Sequence, residues 1–196
     1  MKNRYEQLTA LVHKLRPRII VEVGVHGAVR ATQMCLAARQ RSQEIKYIGF
    51  DVFETMDADF HKQALNGKGI PAKHNAERRL FNLNASIGGV DWSFVIGDTA
   101  QTLHHKPVVC DFAFIDGDHR VEMIRGDAKA LEDACPCMVF DDYYVPGDDG
   151  KITDIEKYGA NVVIEEYRAA GRKVQILPKR DLTKEGCFAM LAVVTK

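Results

Sequence analysis

Acids recur in this sequence wherever an apolar run ends. Glu22 and Gly24 close "RIIVEVGV", Asp51 closes "KYIGFD", Asp98 closes "DWSFVIGD", Asp116 closes "DFAFID", and Asp141 with Asp142 closes "CMVFDD". One acid in such a place is ordinary, because Asp readily caps the helix that follows. Five in succession predict a shared acidic rim, and such a rim suits a ligand or ion that carries positive charge. The stretch "DFAFIDGDHR" adds an imidazole, His119, three residues after Asp116. With an unperturbed pKa near 6.5, a histidine there is a candidate general base. Asp118 between them reads as a helix cap.

The elements that would carry these groups follow from periodicity. Tyr5, Leu8, Leu11, Val12 and Leu15 recur at helical spacing before Pro17, so residues 1–17 are expected to hold an N-terminal helix. The β-branched run 18–25 reads as a strand buried on both faces. Further strands are expected at 46–53, 91–98, 108–118, 137–142, 172–179 and 187–195. Helices are expected at 29–40, 75–86, from Thr99, at 121–134 and at 152–171. Residues 54–75, with Gly67, Gly69 and Pro71, read as a long loop or lid over a substrate, including "MDADFHK" and its His61. Alternating strands and helices imply a parallel, doubly wound α/β sheet with helices on both faces. The link "RDLTKEG" is short enough to make the last strand antiparallel to the one before it. In such sheets ligands bind beyond the carboxyl ends of the strands, which is where the acids fall.

Composition bounds the alternatives. The 196 residues carry 27 Lys plus Arg and 27 Asp plus Glu, a zero formal net charge that argues against a polyanion as main partner. A single domain is expected. No apolar segment reaches the length of a membrane span, and no signal-peptide pattern precedes the first helix, which predicts a cytoplasmic protein. The five cysteines are expected as thiols, and Cys135-Pro-Cys137 as a turn into a strand. His104-His105 read as a polar turn and Trp92 as packing.

"EVGVHG" (22–27) supplies a tight glycine turn, but in the spacing E-x-G-x-x-G it is not the G-x-G-x-x-G of dinucleotide sites. Asp51, 27 residues after Gly24, is placed to accept both hydroxyls of a ribose. The segments "VEVGVHG", "YIGFDVF", "VIGDTAQTL", "DFAFIDGDH" and "MVFDDYY", in this order, resemble the class I S-adenosylmethionine-dependent methyltransferases from about Arg18 to Thr195. That resemblance implies a Rossmann-like seven-stranded sheet with a reversed last strand. It implies that Glu22, Gly24, Gly27 and Asp116 line the methionine end of S-adenosylmethionine, that Asp51 and Val52 meet the ribose, and that Asp98 and Thr99 border the adenine. Where glycine-rich members have a further glycine, this chain has Ala28 or Val29.

Within that superfamily, "FIDGDH…VFDDYY" is most similar to the small-molecule O-methyltransferases of catechol, caffeoyl-coenzyme A and macrocin type. By that resemblance Asp116, Asp141 and Asp142 would hold Mg²⁺ or another divalent cation, a ligand set that suits a hard ion. Asp116 and His119 would serve catalysis, and Tyr143 would contact the substrate. The implied activity is methylation of a hydroxyl on a small molecule or sugar. A metal-free N- or macromolecule methyltransferase, a nicotinamide-dependent oxidoreductase and a non-catalytic nucleotide-binding protein remain the alternatives. Homo-oligomerisation is left open, because the N-terminal helix could pack on its own sheet or on a second subunit.

Overall fold

The computed structural model describes residues 4–40, 44–56, 69–105 and 108–196. Its centre is a seven-stranded sheet of order β3-β2-β1-β4-β5-β7-β6. The strands are β1 (Ile19–Val23), β2 (Ile45–Asp51), β3 (Val90–Ile96), β4 (Phe112–Ile115), β5 (Cys137–Val145), β6 (Lys173–Leu182) and β7 (Phe188–Thr195). The first five run parallel, and β7 pairs antiparallel with both β5 and β6. The short final link therefore does make a hairpin, and the strand order reverses on either side of β1.

The pleat sorts the side chains to two faces. Ile20, Tyr47, Phe112, Phe114 and Val139 pack on one side with Leu8 and Val12 of α1 (Arg4–Leu15), Met34 of α2 (Val29–Arg39) and Leu80 of α3 (Lys73–Ile87). Val21, Phe50, Met138 and Phe140 pack on the other with Ile124 and Leu131 of α4 (Val121–Leu131) and Ile164 of α5 (Asn161–Ala169). The N-terminal helix thus lies on its own sheet. Each fully buried side chain of this size contributes roughly 1.5–3 kcal/mol relative to exposure. No helix among the described residues is long and apolar enough to cross a membrane.

Several expectations are corrected. No helix follows Thr99; residues 99–105 form turns, in which the amides of Gln101 and Thr102 both donate to the Asp98 carbonyl. The helix expected over 152–171 is confined to Asn161–Ala169. Gly159 stops it, with φ of 86° and a backbone so close to Tyr144 and the Asp142 carbonyl that a Cβ would lie about 2.5 Å away. The segment before it is tied to the sheet instead: Gly159 N–H donates to the His119 carbonyl at 2.8 Å and Ala160 N–H to that of Asp142 at 3.0 Å. β5 runs past 142 to Val145 through an irregularity between Phe140 and Tyr143, where Asp142 has φ of 54°. α3 starts at Lys73, inside the expected loop, while residues 57–68, which hold most of the expected lid and His61, lie outside the described residues. All five cysteines are free and buried. Trp92 packs on Phe94, centroids 5.4 Å apart, and His104 pairs with Asp127 at 3.0 Å.

Candidate active site

The loop leaving β1 is shaped by backbone. Gly24, with φ of 86°, lies against β4: a Cβ there would sit 2.0 Å from the Asp116 carbonyl oxygen, so only glycine fits. Two and four residues on, His26 and Ala28 adopt left-handed φ of 48° and 56° without being glycine. Ala28 is thus where a further glycine would have been unstrained. The loop is held by Asp51, whose two carboxylate oxygens accept the N–H groups of His26 (2.7 Å) and Phe53 (2.6 Å). Each oxygen keeps a further lone pair, so this carboxylate is fixed in place and still able to accept.

A cleft opens beside it, lined by Gly24, Asp51, Val52, Asp98, Thr99 and Asp118. Asp98 Oδ1 accepts the N–H of Ala100 at 2.9 Å, which explains why an acid ends β3. Asp118 does not cap α4: it accepts the N–H of Arg120, the residue before the helix, at 3.0 Å and grips the Arg120 guanidinium with both oxygens. A larger cavity, by contrast, lies at the opposite, amino-terminal edge of the sheet among Arg18, Lys46 and Asp91. It contains none of the rim acids, and the small cleft is the better candidate on chemistry.

Glu22 and Gly27 are not on that cleft. Glu22 shares its face with Ile20 under α2, is fully buried, and accepts a short hydrogen bond from the Tyr47 phenol. Burial, opposed by that bond and reinforced by Asp116 and Asp51, pushes its carboxyl well above the usual range. Enclosed in this way, Glu22 presents no exposed carboxylate to the cleft. Gly27 instead opens on a groove beside Asn75, Arg78, Arg79 and Asn82 of α3.

Beyond β4 and β5 the site is built from side chains. Donor atoms of Asp116, His119 and Asp142 all lie within 4.8 Å of one another. His119 Nδ1 is 2.7 Å from Asp142 Oδ2, and the ring is 6% exposed. Burial would raise the Asp142 carboxyl, but the hydrogen bond and charge of His119, with Arg4 behind, hold it well below the usual carboxylate range. Tyr144 also shares Asp142, and burial beside that carboxylate pushes its phenol up.

Asp141 does not join this cluster, contrary to the three-carboxylate set expected from sequence. At the β5 irregularity the two carboxylates take different partners: Asp142 Oδ2 turns to His119, while Asp141 turns to α1. There its Oδ2 accepts the Tyr5 phenol at 2.5 Å and Arg4 Nη2 at 3.0 Å, and its Oδ1 accepts the Asp142 N–H at 2.8 Å. Arg4 Nε lies 2.8 Å from Oδ1 as an ion-pair contact without hydrogen-bond alignment. Tyr143, the expected substrate contact, points to α5, where its hydroxyl donates to Glu165 at 3.2 Å. Arg4 and Tyr5 are the residues that sequence reasoning missed.

No protein-family model and no curated protein sequence matches the chain. Solved structures do. An O-methyltransferase, TomG from Streptomyces achromogenes, involved in tomaymycin synthesis and in complex with SAM, is 17% identical, with a TM-score of 0.60 over 98% of this chain and 79% of that one. An O-methyltransferase from Bacillus cereus in complex with SAH is 18% identical, with a TM-score of 0.62 over 100% and 82%. The methyltransferase domain of bacterial CtHen1 is 11% identical, with a TM-score of 0.58 over 100% of this chain and 98% of that one. The fold is that of the class I S-adenosylmethionine-dependent methyltransferases, with the acids of β2, β3, β4 and β5 at the carboxyl edge of the sheet.

Proposed function

We propose that the chain is an S-adenosylmethionine-dependent methyltransferase acting on a hydroxyl of a small molecule or sugar. The observation that carries this reading is the adjacency of two arrangements at one switch point. A cleft with a preoriented carboxylate, Asp51, lies next to a buried histidine–aspartate pair, His119 and Asp142.

The residues fit the cofactor. Asp51 has lone pairs for a ribose diol, Gly24 lets a ligand approach the backbone, and Val52, Asp98 and Thr99 border the same cleft. When bound, S-adenosylmethionine supplies an electrophilic methyl group. The chain's own work is to orient the acceptor and remove its proton. Asp142 holds Nδ1 of His119, which orients the ring, and its carboxylate stabilises the imidazolium formed when His119 takes the hydroxyl proton. The Asp116 carboxylate adds negative charge beside that imidazolium. In-line placement of the oxygen supplies the rest of the rate enhancement.

The three-carboxylate cation site does not fit, because both oxygens of Asp141 are already engaged by Arg4, Tyr5 and a backbone amide. No step here passes through a metal ion.

The test is methyl transfer from labelled S-adenosylmethionine to a panel of catechols, flavonoids and sugar hydroxyls, with His119→Ala alongside. Transfer to oxygen that disappears in the variant supports the reading. Transfer to nitrogen, or turnover of a nicotinamide cofactor, overturns it.

A further inference from the structure

We infer that Arg4, delivered by α1, occupies the cation seat of this rim. Its guanidinium balances the β5 acids where the resemblance would place a divalent ion, and its removal converts the chain into a divalent-cation binder. The inference rests on the proposed transfer site for its catalytic meaning, but the seat itself is read by metal binding without any substrate.

Three carboxylates converge on this one side chain. Arg4 contacts Asp141 at 2.8 and 3.0 Å, Asp142 Oδ1 at 3.3 Å and Asp181 Oδ2 at 3.8 Å, and its own N–H donates to Asp181 at 3.3 Å. It is only 5% exposed. Such a cluster of acids would repel itself if left uncompensated, and a buried carboxylate without a partner is strongly destabilising. Tyr5 supplies a further donor to Asp141.

The placement is not an accident of a loose terminus. Lys179 Nζ meets Glu6 at 2.6 Å, and Gln7 exchanges two hydrogen bonds with the Lys179 backbone at 3.2 and 3.0 Å. The Arg30 guanidinium lies 3.5 Å above the Tyr5 ring, and Leu8 and Val12 are fully buried. α1 is therefore pinned to β6, to α2 and to the core, and Arg4 is held with it.

Geometry makes guanidinium and ion mutually exclusive. The Arg4 nitrogens sit 2.8, 3.0 and 3.3 Å from oxygens of Asp141 and Asp142, in the place an ion would take, whereas Mg²⁺ needs such oxygens at about 2.1 Å. The other donor set, Asp116, His119 and Asp142, has one pair already joined by a hydrogen bond, and a dication there would face the Arg4 charge within the same cluster.

The experiment is a titration of chelator-stripped protein with Mn²⁺, followed by calorimetry and by the spin-resonance signal of free ion. Wild type is expected to bind no ion stoichiometrically. Arg4→Ala is expected to bind one, at least tenfold more tightly than wild type. Arg4→Lys, which restores a positive charge, is expected to exclude it again. Circular dichroism reports folding; where Arg4→Ala fails to fold, Arg4→Gln, neutral but still a donor to Asp141, replaces it. Stoichiometric binding by wild type that Asp116→Asn or Asp142→Asn abolishes would overturn the inference. So would a folded, neutral variant that still binds no ion.

Discussion

The two halves of the rim solve different problems. Beyond β1, β2 and β3 the shape comes from backbone: Gly24 pressed on the Asp116 carbonyl, and two amides fixed on Asp51. The acids there, Asp51 and Asp98, keep lone pairs toward a cleft. Beyond β4 and β5 the shape comes from side chains, and Asp141 and Asp142 are engaged by Arg4, Tyr5, His119 and Tyr144. On the proposed reading the first half receives the cofactor, and the second holds one imidazole in a set orientation. A protein that merely tolerated strand-end acids would show neither the preoriented carboxylate nor the enclosed pair.

Perturbing each half in turn sharpens that contrast. The largest effect is expected in the side-chain half: His119→Ala should lower kcat by about 10²- to 10⁴-fold while leaving S-adenosylmethionine affinity within a few-fold, read by steady-state kinetics and calorimetry together. Equal loss of both would mean that His119 is a binding residue and the halves are not separate.

In the backbone half, Gly24→Ala should cost about 3 kcal/mol or more in denaturant unfolding. Its Cβ would meet a carbonyl at 2.0 Å, and its φ of 86° strains any L side chain. Gly27→Ala should be near neutral by comparison, since nothing lies within 4 Å of a Cβ there.

Behind the cleft, Asp127 of α4 tests the electrostatics. Burial, opposed by Thr99 and His104, pushes its carboxyl up to about 6. A raised acid destabilises the fold where it is ionised, so the penalty is present above about pH 6 and absent below the unfolded value. Asp127→Asn should therefore gain stability relative to wild type as pH rises from 4 to 7, by up to about 3 kcal/mol. A difference that stays flat with pH would show that His104 and Thr99 compensate its charge fully.

The smallest effect is expected at Asp51. Asp51→Asn should weaken S-adenosylmethionine binding about 10-fold, the scale of a hydrogen bond to a charged group, with only a modest change in unfolding midpoint.

Most of the fold was legible because strands buried on both faces read as β-branched runs and α1 reads at helical spacing. That Asp51, Val52, Asp98 and Thr99 would meet at one edge was legible because they lie at or just beyond strand ends, and they do line one cleft. The errors have local causes. Residues 152–160 have helical composition, but Gly159 and its bonds to His119 and Asp142 draw them onto the sheet. Glu22 reads like the rim acids, yet the pleat turns it into the core. Asp141 and Asp142 look like a pair, but at the β5 irregularity one turns to Tyr5 and Arg4 and the other to His119. Arg4 could not be found, because local pattern carries no sign that residue 4 meets residue 141, and Tyr5 is absorbed into the apolar stripe of α1.

The central claim, that this rim receives S-adenosylmethionine, is tested most directly by calorimetric titration of the whole chain with that cofactor and, separately, with NAD. Saturable one-to-one binding of S-adenosylmethionine, weakened in Asp51→Asn and unchanged in His119→Ala, is the predicted result. Binding of NAD with no response to S-adenosylmethionine would contradict the account.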